Sequence, residues 1–283
     1  MQSIREIDVA EVTEAVKEMC IAANYELSED MKEKLTDAAK SETSVLGKQI
    51  LQQLEENLEI AKSDAIPICQ DTGMAIVFME LGQDVHLVGG DLMDAVNEGV
   101  RQGYTEGYLR KSVVADPLLR ENTRDNTPAI LHTTIIPGDQ IRITVAPKGF
   151  GSENMSRVFM LKPADGEDGV VHAVVQAVRD AGPNACPPMV VGVGIGGDFE
   201  ECALMAKRAL TMDTKGHSEL PHICELEKRI LKEINQLGLG PAGLGGSTTA
   251  LSVRILSYPT HIAGLPVGVN ICCHVNRHET RTI

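Results

Sequence analysis

Apolar positions repeat along this chain at two spacings, and the alternation between them sets the expected fold. Near the start, Val9, Val12, Val16 and Met19 recur at helical spacing, with Asp8 or Thr13 available to open the helix. Ser41 or Thr43 then begins a longer helix. Leu46, Ile50, Leu54, Leu58 and Ala61 mark one face, Gln52, Glu55, Glu56 and Glu59 the other, and Pro67 ends it. After Gly73 the run Met74 to Leu81 has strand length. Gly89 and Gly90 break the chain, and Asp91 starts a helix carrying Leu92, Ala95, Val96, Gly99 and Val100.

Residues 104–126 are polar and irregular, but Val113, Val114, Leu118 and Leu119 anchor them, so the segment reads as an ordered loop. Residues 129–136 and 140–145 read as two strands joined by Pro137-Gly138-Asp139, a hairpin signal. Ile141, Ile143 and Val145 alternate with Arg142 and Thr144, so one face of the second strand is wet or lines a site. Then follow an apolar run at 155–161, a helix at 169–180, a buried strand at 189–195 and a helix capped by Asp198 reaching Leu210. An amphipathic helix at 219–237, a Gly-rich stretch, an apolar stretch at 250–256 and a tail at 267–278 complete the chain. Helices alternating with strands predict an α/β or α+β fold, with N-terminal helices packed with a mixed sheet layer flanked by helices. The reading is one domain over 1–283 with a helical part over about 1–65, and without repeats or a linker.

Composition narrows the function classes. There is no Trp, with four Tyr and four Phe, so the core is aliphatic and base-stacking platforms are not expected. A net charge of -14 argues against nucleic acid or an anionic membrane surface as partner. It leaves room for an anionic substrate, because a few Arg and Lys in a cleft reverse the local sign. The N-terminus lacks the apolar core of a signal peptide and no run reaches membrane-span length. Seven Cys, an odd count with no CxxC pair, give no disulfide framework, so a reducing cytoplasm with free thiols is the expected compartment.

Candidate chemistry lies at the breaks between elements. Pro67-Ile68-Cys69-Gln70-Asp71-Thr72-Gly73 places a thiol, an amide and a carboxyl side by side. Alone it reads either as a turn with a buried Cys or as a soft metal ligand beside an acid/base carboxyl. Cys20, Cys202 and Cys224 fall within helical patterns and read as structural. Cys69, Cys186 and the Cys272–Cys273 pair sit at breaks, so three loops can supply thiolates to a metal or an iron–sulfur cluster with one position left open. His261, in Tyr258-Pro259-Thr260-His261, is either a general acid or base or a satisfied structural His. Gly192, Gly194 and Gly197 match GxGxxG, but the acidic strand end of a dinucleotide site is missing about 20 residues on, leaving close helix–strand packing as the plainer reading.

Six blocks together resemble class I fumarate hydratase, and more narrowly the α subunit of its two-subunit form. They are PICQDTG at 67–73, YLRKSVVADPLLRENTRDNTPA from 108, KGFGSENMS from 148, NACPPMVVGVGIGG at 184–197, LGPAGLGGSTTAL at 239–251 and YPTHIAGLPVGVN at 258–270. The resemblance implies a 4Fe-4S cluster held by Cys69, Cys186 and Cys273. In the family it resembles, the last ligand stands four residues before an Arg, a pattern that Cys273 and Arg277 match and Cys272 does not. It implies substrate contacts at Gln70, Asp71, Arg110, Gly149 and His261, with Asp71 and His261 handling protons. The implied reaction is reversible hydration of fumarate to (S)-malate, with an open iron as Lewis acid. The α subunit of L-tartrate dehydratase resembles the same template and is the alternative. Single-chain members continue past the point where this sequence ends, so the resemblance further implies a β subunit in an α2β2 assembly and no activity without it.

Overall fold

The computed structural model describes residues 4–283. In chain order the elements are β1 (Arg5–Asp8), α1 (Val9–Tyr25), α2 (Glu29–Ser41), α3 (Val45–Asp64), β2 (Met74–Gly82), β3 (Val85–Val88), α4 (Leu92–Glu106), β4 (Ile130–Ile136), β5 (Ile141–Lys148) and the single turn α5 (Phe150–Glu153). They continue with β6 (Arg157–Leu161), α6 (Gly166–Ala181), β7 (Met189–Gly197), α7 (Phe199–Ala209), α8 (Pro221–Asn235), β8 (Ala250–Thr260), β9 (Leu265–Cys272) and β10 (Glu279–Thr282). The fold is mixed α/β, as the alternation predicts. Asp8, Asp91 and Asp198 cap α1, α4 and α7 by accepting backbone N–H groups. The long helix starts later than expected: Ser44, not Ser41 or Thr43, accepts the Gly47 N–H of its first turn. No helix among the described residues is long and apolar enough to cross a membrane.

The chain forms two compact units, the first from the residues up to Ser28 with Leu58–Phe150 and Arg277–Ile283, the second from Glu29–Asn57 and Gly151–Asn276. In the first unit a four-stranded sheet has the order β10-β5-β2-β4, and β1 pairs separately with β3. Val12, Val16 and Met19 of α1, Val96, Val100 and Tyr104 of α4, and Val77, Ile141, Ile143 and Val145 of the sheet are all fully buried in one core.

The expected hairpin between the second and third strands of this unit's sheet does not form. β4 runs parallel to β2, and β5 runs antiparallel to β2 on its other side, so β2 separates them. The reason lies in β2, whose near-continuous apolar run is buried on both faces and takes the central position. The Pro137–Asp139 turn is used differently: Gln83 N–H and Asp84 N–H donate to the Ile136 and Gly138 carbonyls at 2.7 and 2.9 Å.

The second unit holds the sheet β6-β9-β7-β8, in which β7 is parallel to β8 and antiparallel to β9. Strand alternation sorts the β7 side chains. Val191 and Val193 join the core with Val174, Val178, Ile230 and Ile234 of α6 and α8. Gly192 and Gly194 lie on the opposite face under α7, where a Cβ on either would come 2.1 Å from a helix carbonyl, of Ala206 or Cys202. The GxGxxG stretch is thus a packing device, which settles that ambiguity on its plainer side. Buried Glu42, between α2 and α3, accepts N–H groups of Thr43, Ser44, Ser247 and Thr248 and the Ser247 hydroxyl, pinning the Gly-rich 238–249 segment.

Candidate active site

The loop between α3 and β2 is built to hold a carboxylate in one pose. Its entry is anchored by buried Ile68, whose N–H donates to the Asn24 carbonyl at 2.9 Å. Its exit is Gly73, at φ +77, where a Cβ would lie 2.7 Å from the Lys148 backbone, so the position accepts only glycine. Between them Cys69 is half-buried, Gln70 exposed and Asp71 half-buried. Asp71 Oδ1 accepts the Gly73 N–H at 3.1 Å and Oδ2 accepts the Phe150 N–H at 3.0 Å. Gly149 lines the same carboxylate: a Cβ there would come within 3.0 Å of Oδ2.

Two further residues hold this loop from behind. The Tyr104 hydroxyl donates to the Thr72 and Gly73 carbonyls at 2.8 and 3.0 Å, and its burial raises the phenol pKa well above the usual value. Buried Thr72 accepts the Arg110 N–H on its Oγ1 at 2.9 Å. This fixes the Arg110 backbone beside the loop while its guanidinium stays exposed, without an ion pair among the described residues. The first unit therefore brings Asp71, Gly149 and the Arg110 backbone together around one loop, next to Cys69 and Gln70. Sequence reading missed Tyr104, Thr72 and Arg277 as supports. Arg277 donates from Nε to the Pro147 carbonyl at 3.2 Å and from Nη2 to the Asp71 carbonyl. Only a Tyr and an Arg in otherwise apolar or terminal segments hinted at them.

In the second unit Cys186 is exposed, in the left-handed conformation with φ 52, just after the short helical turn Gly182–Ala185. The His274 ring contacts its carbonyl from Nδ1 at 3.1 Å, which ties the Cys186 loop to the segment just past β9. The two neighbouring thiols there differ. Cys272 is the last residue of β9, opposite Val190, and is 4% exposed, whereas Cys273 follows the strand and is half-buried. His261 is exposed in the β8–β9 turn and accepts the Ala263 N–H on Nδ1 at 3.2 Å, so Nε2 carries the proton of the neutral ring. It lines an open groove of about 490 Å³ with Gly197, Asp198, Glu200, Glu201, Tyr258, Pro259 and Thr260. Cys20 is fully buried in α1, and burial pushes its thiol up to about 12, as a structural Cys requires. No group of three or more His, Cys, Asp or Glu is arranged to hold a metal ion among the described residues.

The family model for fumarate hydratase (Fumerase) matches residues 13–282. The chain belongs to the fumarate hydratase family. A Methanocaldococcus jannaschii protein, provisionally named L(+)-tartrate dehydratase subunit alpha, is 39% identical over 280 residues, 96% of this chain and 97% of that protein. The L(+)-tartrate dehydratase subunits alpha of Escherichia coli strains UTI89 and K12 are each 29% identical over 282 residues, 99% of this chain and 93% of theirs. Membership places the chain among enzymes of the hydro-lyase class that the fumarate hydratase and tartrate dehydratase α proteins share.

Proposed function

We propose that this chain is the α subunit of an iron–sulfur hydro-lyase that interconverts fumarate and (S)-malate, working with a β subunit in an α2β2 assembly. The observation that carries the reading is the doubly held Asp71 carboxylate in the loop that also presents Cys69, in a chain the family model spans almost end to end. Support for the partner is that the relatives are named as alpha subunits. Their names also favour a second reading, L(+)-tartrate as the diacid. Both substrates are four-carbon dicarboxylates that lose or gain water next to a carboxylate.

The donor set suits a cluster chemically. Cys69, Cys186 and Cys273 are soft ligands at loop or strand ends with partly or fully exposed positions, whereas buried Cys20 and Cys202 and half-buried Cys224 lie within helices. These three would hold a 4Fe-4S cluster, which when bound supplies a Lewis-acidic iron to weaken the carbon–hydroxyl bond. The remaining roles belong to the chain. Arg110, exposed and without an ion pair, can fork onto a substrate carboxylate. Gly149 keeps the space beside Asp71 clear of a side chain. Asp71 spends one lone pair of each oxygen on an N–H, leaving each oxygen able to take a proton. His261 Nε2 holds the complementary proton and can give it up.

The test is anaerobic co-expression with the β-type chain, followed by assays on fumarate, (S)-malate, mesaconate and L(+)-tartrate. Turnover of fumarate above tartrate supports the first reading and the reverse ratio the second. A cluster-loaded complex that turns over none of them refutes both.

A further inference from the structure

Arg277 is 5% exposed, and no carboxylate pairs with it among the described residues. Burying a guanidinium is costly unless its donors are engaged. Here the donors are spent on two backbone carbonyls, Pro147 from Nε at 3.2 Å and Asp71 from Nη2, while Nη1 is buried with no partner. An arginine serving stability alone would be expected to pair its charge and satisfy every donor. This one gives up a donor to bridge two particular peptide groups.

Those two peptides bracket the Asp71 carboxylate. One is the backbone of Asp71 itself. The other is Pro147, three residues before the Phe150 whose N–H binds Asp71 Oδ2. The flat fork of a guanidinium reaches both carbonyls at once, which the single ammonium point of a lysine does not. We infer that Arg277 is a positioning residue that ties the Asp71 loop to the end of β5 and thereby sets the distance between the Asp71 carboxylate and the Phe150 N–H. It needs no contact with substrate to do so. The inference rests on the hydro-lyase reading for its effect on turnover, and on the geometry alone for its effect on the loop.

The test uses the β-partnered, anaerobically prepared protein carrying Arg277→Lys or Arg277→Gln. Two readouts are taken: amide hydrogen exchange at Gly73 and Phe150, and kcat and KM for fumarate. Arg277→Lys is expected to keep a wild-type Tm while exchange at both amides accelerates. Its kcat is expected to fall by about 10²-fold, the scale of a ~1 Å misplacement of a reacting group, with KM within about twofold. Arg277→Gln is expected to show the same pattern, and if it does not fold, the lysine variant decides. Wild-type exchange and wild-type kcat in Arg277→Lys would overturn the inference. Should the wild-type complex turn over no diacid, the hydro-lyase reading fails, and the exchange readout still decides the clamp.

Discussion

Phe150 donates its N–H to Asp71 Oδ2 at 3.0 Å across 79 residues of sequence, with the bare glycine at 149 directly beside that oxygen. A Cβ at 149 would sit 3.0 Å from the same oxygen, tighter than ordinary contact, so the carboxylate must shift by a few tenths of an ångström. The backbone at 149 tolerates alanine. Gly149→Ala should therefore fold with a Tm near wild type and lose roughly tenfold or more in kcat, through displaced geometry and not through unfolding. Steady-state kinetics beside a thermal melt check this, and unchanged kcat would count against a working role for the Asp71 pose.

At Gly73 the expectation is the opposite. Its φ of +77 and the 2.7 Å approach to the Lys148 backbone leave no space for a methyl group. Gly73→Ala should cost at least about 2 kcal/mol, combining left-handed strain with a backbone clash. Denaturant unfolding measures it directly.

Glu42 gives the chain a pH-dependent anchor. Burial alone would raise its pKa, but N–H groups of Ser44 and Ser247 and hydroxyls of Thr248 and Ser247 outweigh that and hold the carboxyl at about 2. Because the folded pKa lies below the unfolded value near 4.5, the contribution is complete above about pH 4.5 and is lost as pH falls toward 2. The shift corresponds to a contribution on the order of 3 kcal/mol. Glu42→Gln should be less stable at pH 7, and its stability should vary less than wild type between pH 4.5 and 2. Parallel urea titrations at several pH values test both, and parallel pH profiles in the two proteins would contradict the assignment.

The two adjacent thiols should behave differently. Cys273→Ser is expected to abolish the brown iron–sulfur absorption of the anaerobic protein. Cys272→Ser, at a buried β9 position, should keep it and alter stability by about 1 kcal/mol or less. Loss of colour in the Cys272 variant alone would move the ligand by one residue.

Much of this was legible along the chain because the patterns are local. Asp8, Asp91 and Asp198 announce helix starts through capping chemistry that acts within a turn. The buried run of β7 and its glycines announce a strand under a helix, and geometry then shows why glycine is needed there. What stayed hidden is non-local. The insertion of β2 between β4 and β5 depends on which strand buries both faces, which a turn signal at 137–139 cannot report. Strands β1 and β10, each four residues long, form only because partners distant in sequence are present. The supports of Asp71 were missed for the same reason. Arg277 lies 206 residues away and Tyr104 carries its hydroxyl into an otherwise apolar helix face.

A proton-handling role for Asp71 in a cluster-bearing hydro-lyase depends on its charge, not on its shape. Asp71→Asn keeps the size of the side chain and an oxygen for one of the two N–H groups, but removes the carboxylate. In the anaerobic complex with its β subunit, fumarate hydration by Asp71→Asn should fall about 10²–10⁴-fold with the visible cluster absorption unchanged. An Asp71→Asn complex that hydrates fumarate at the wild-type rate would contradict that role.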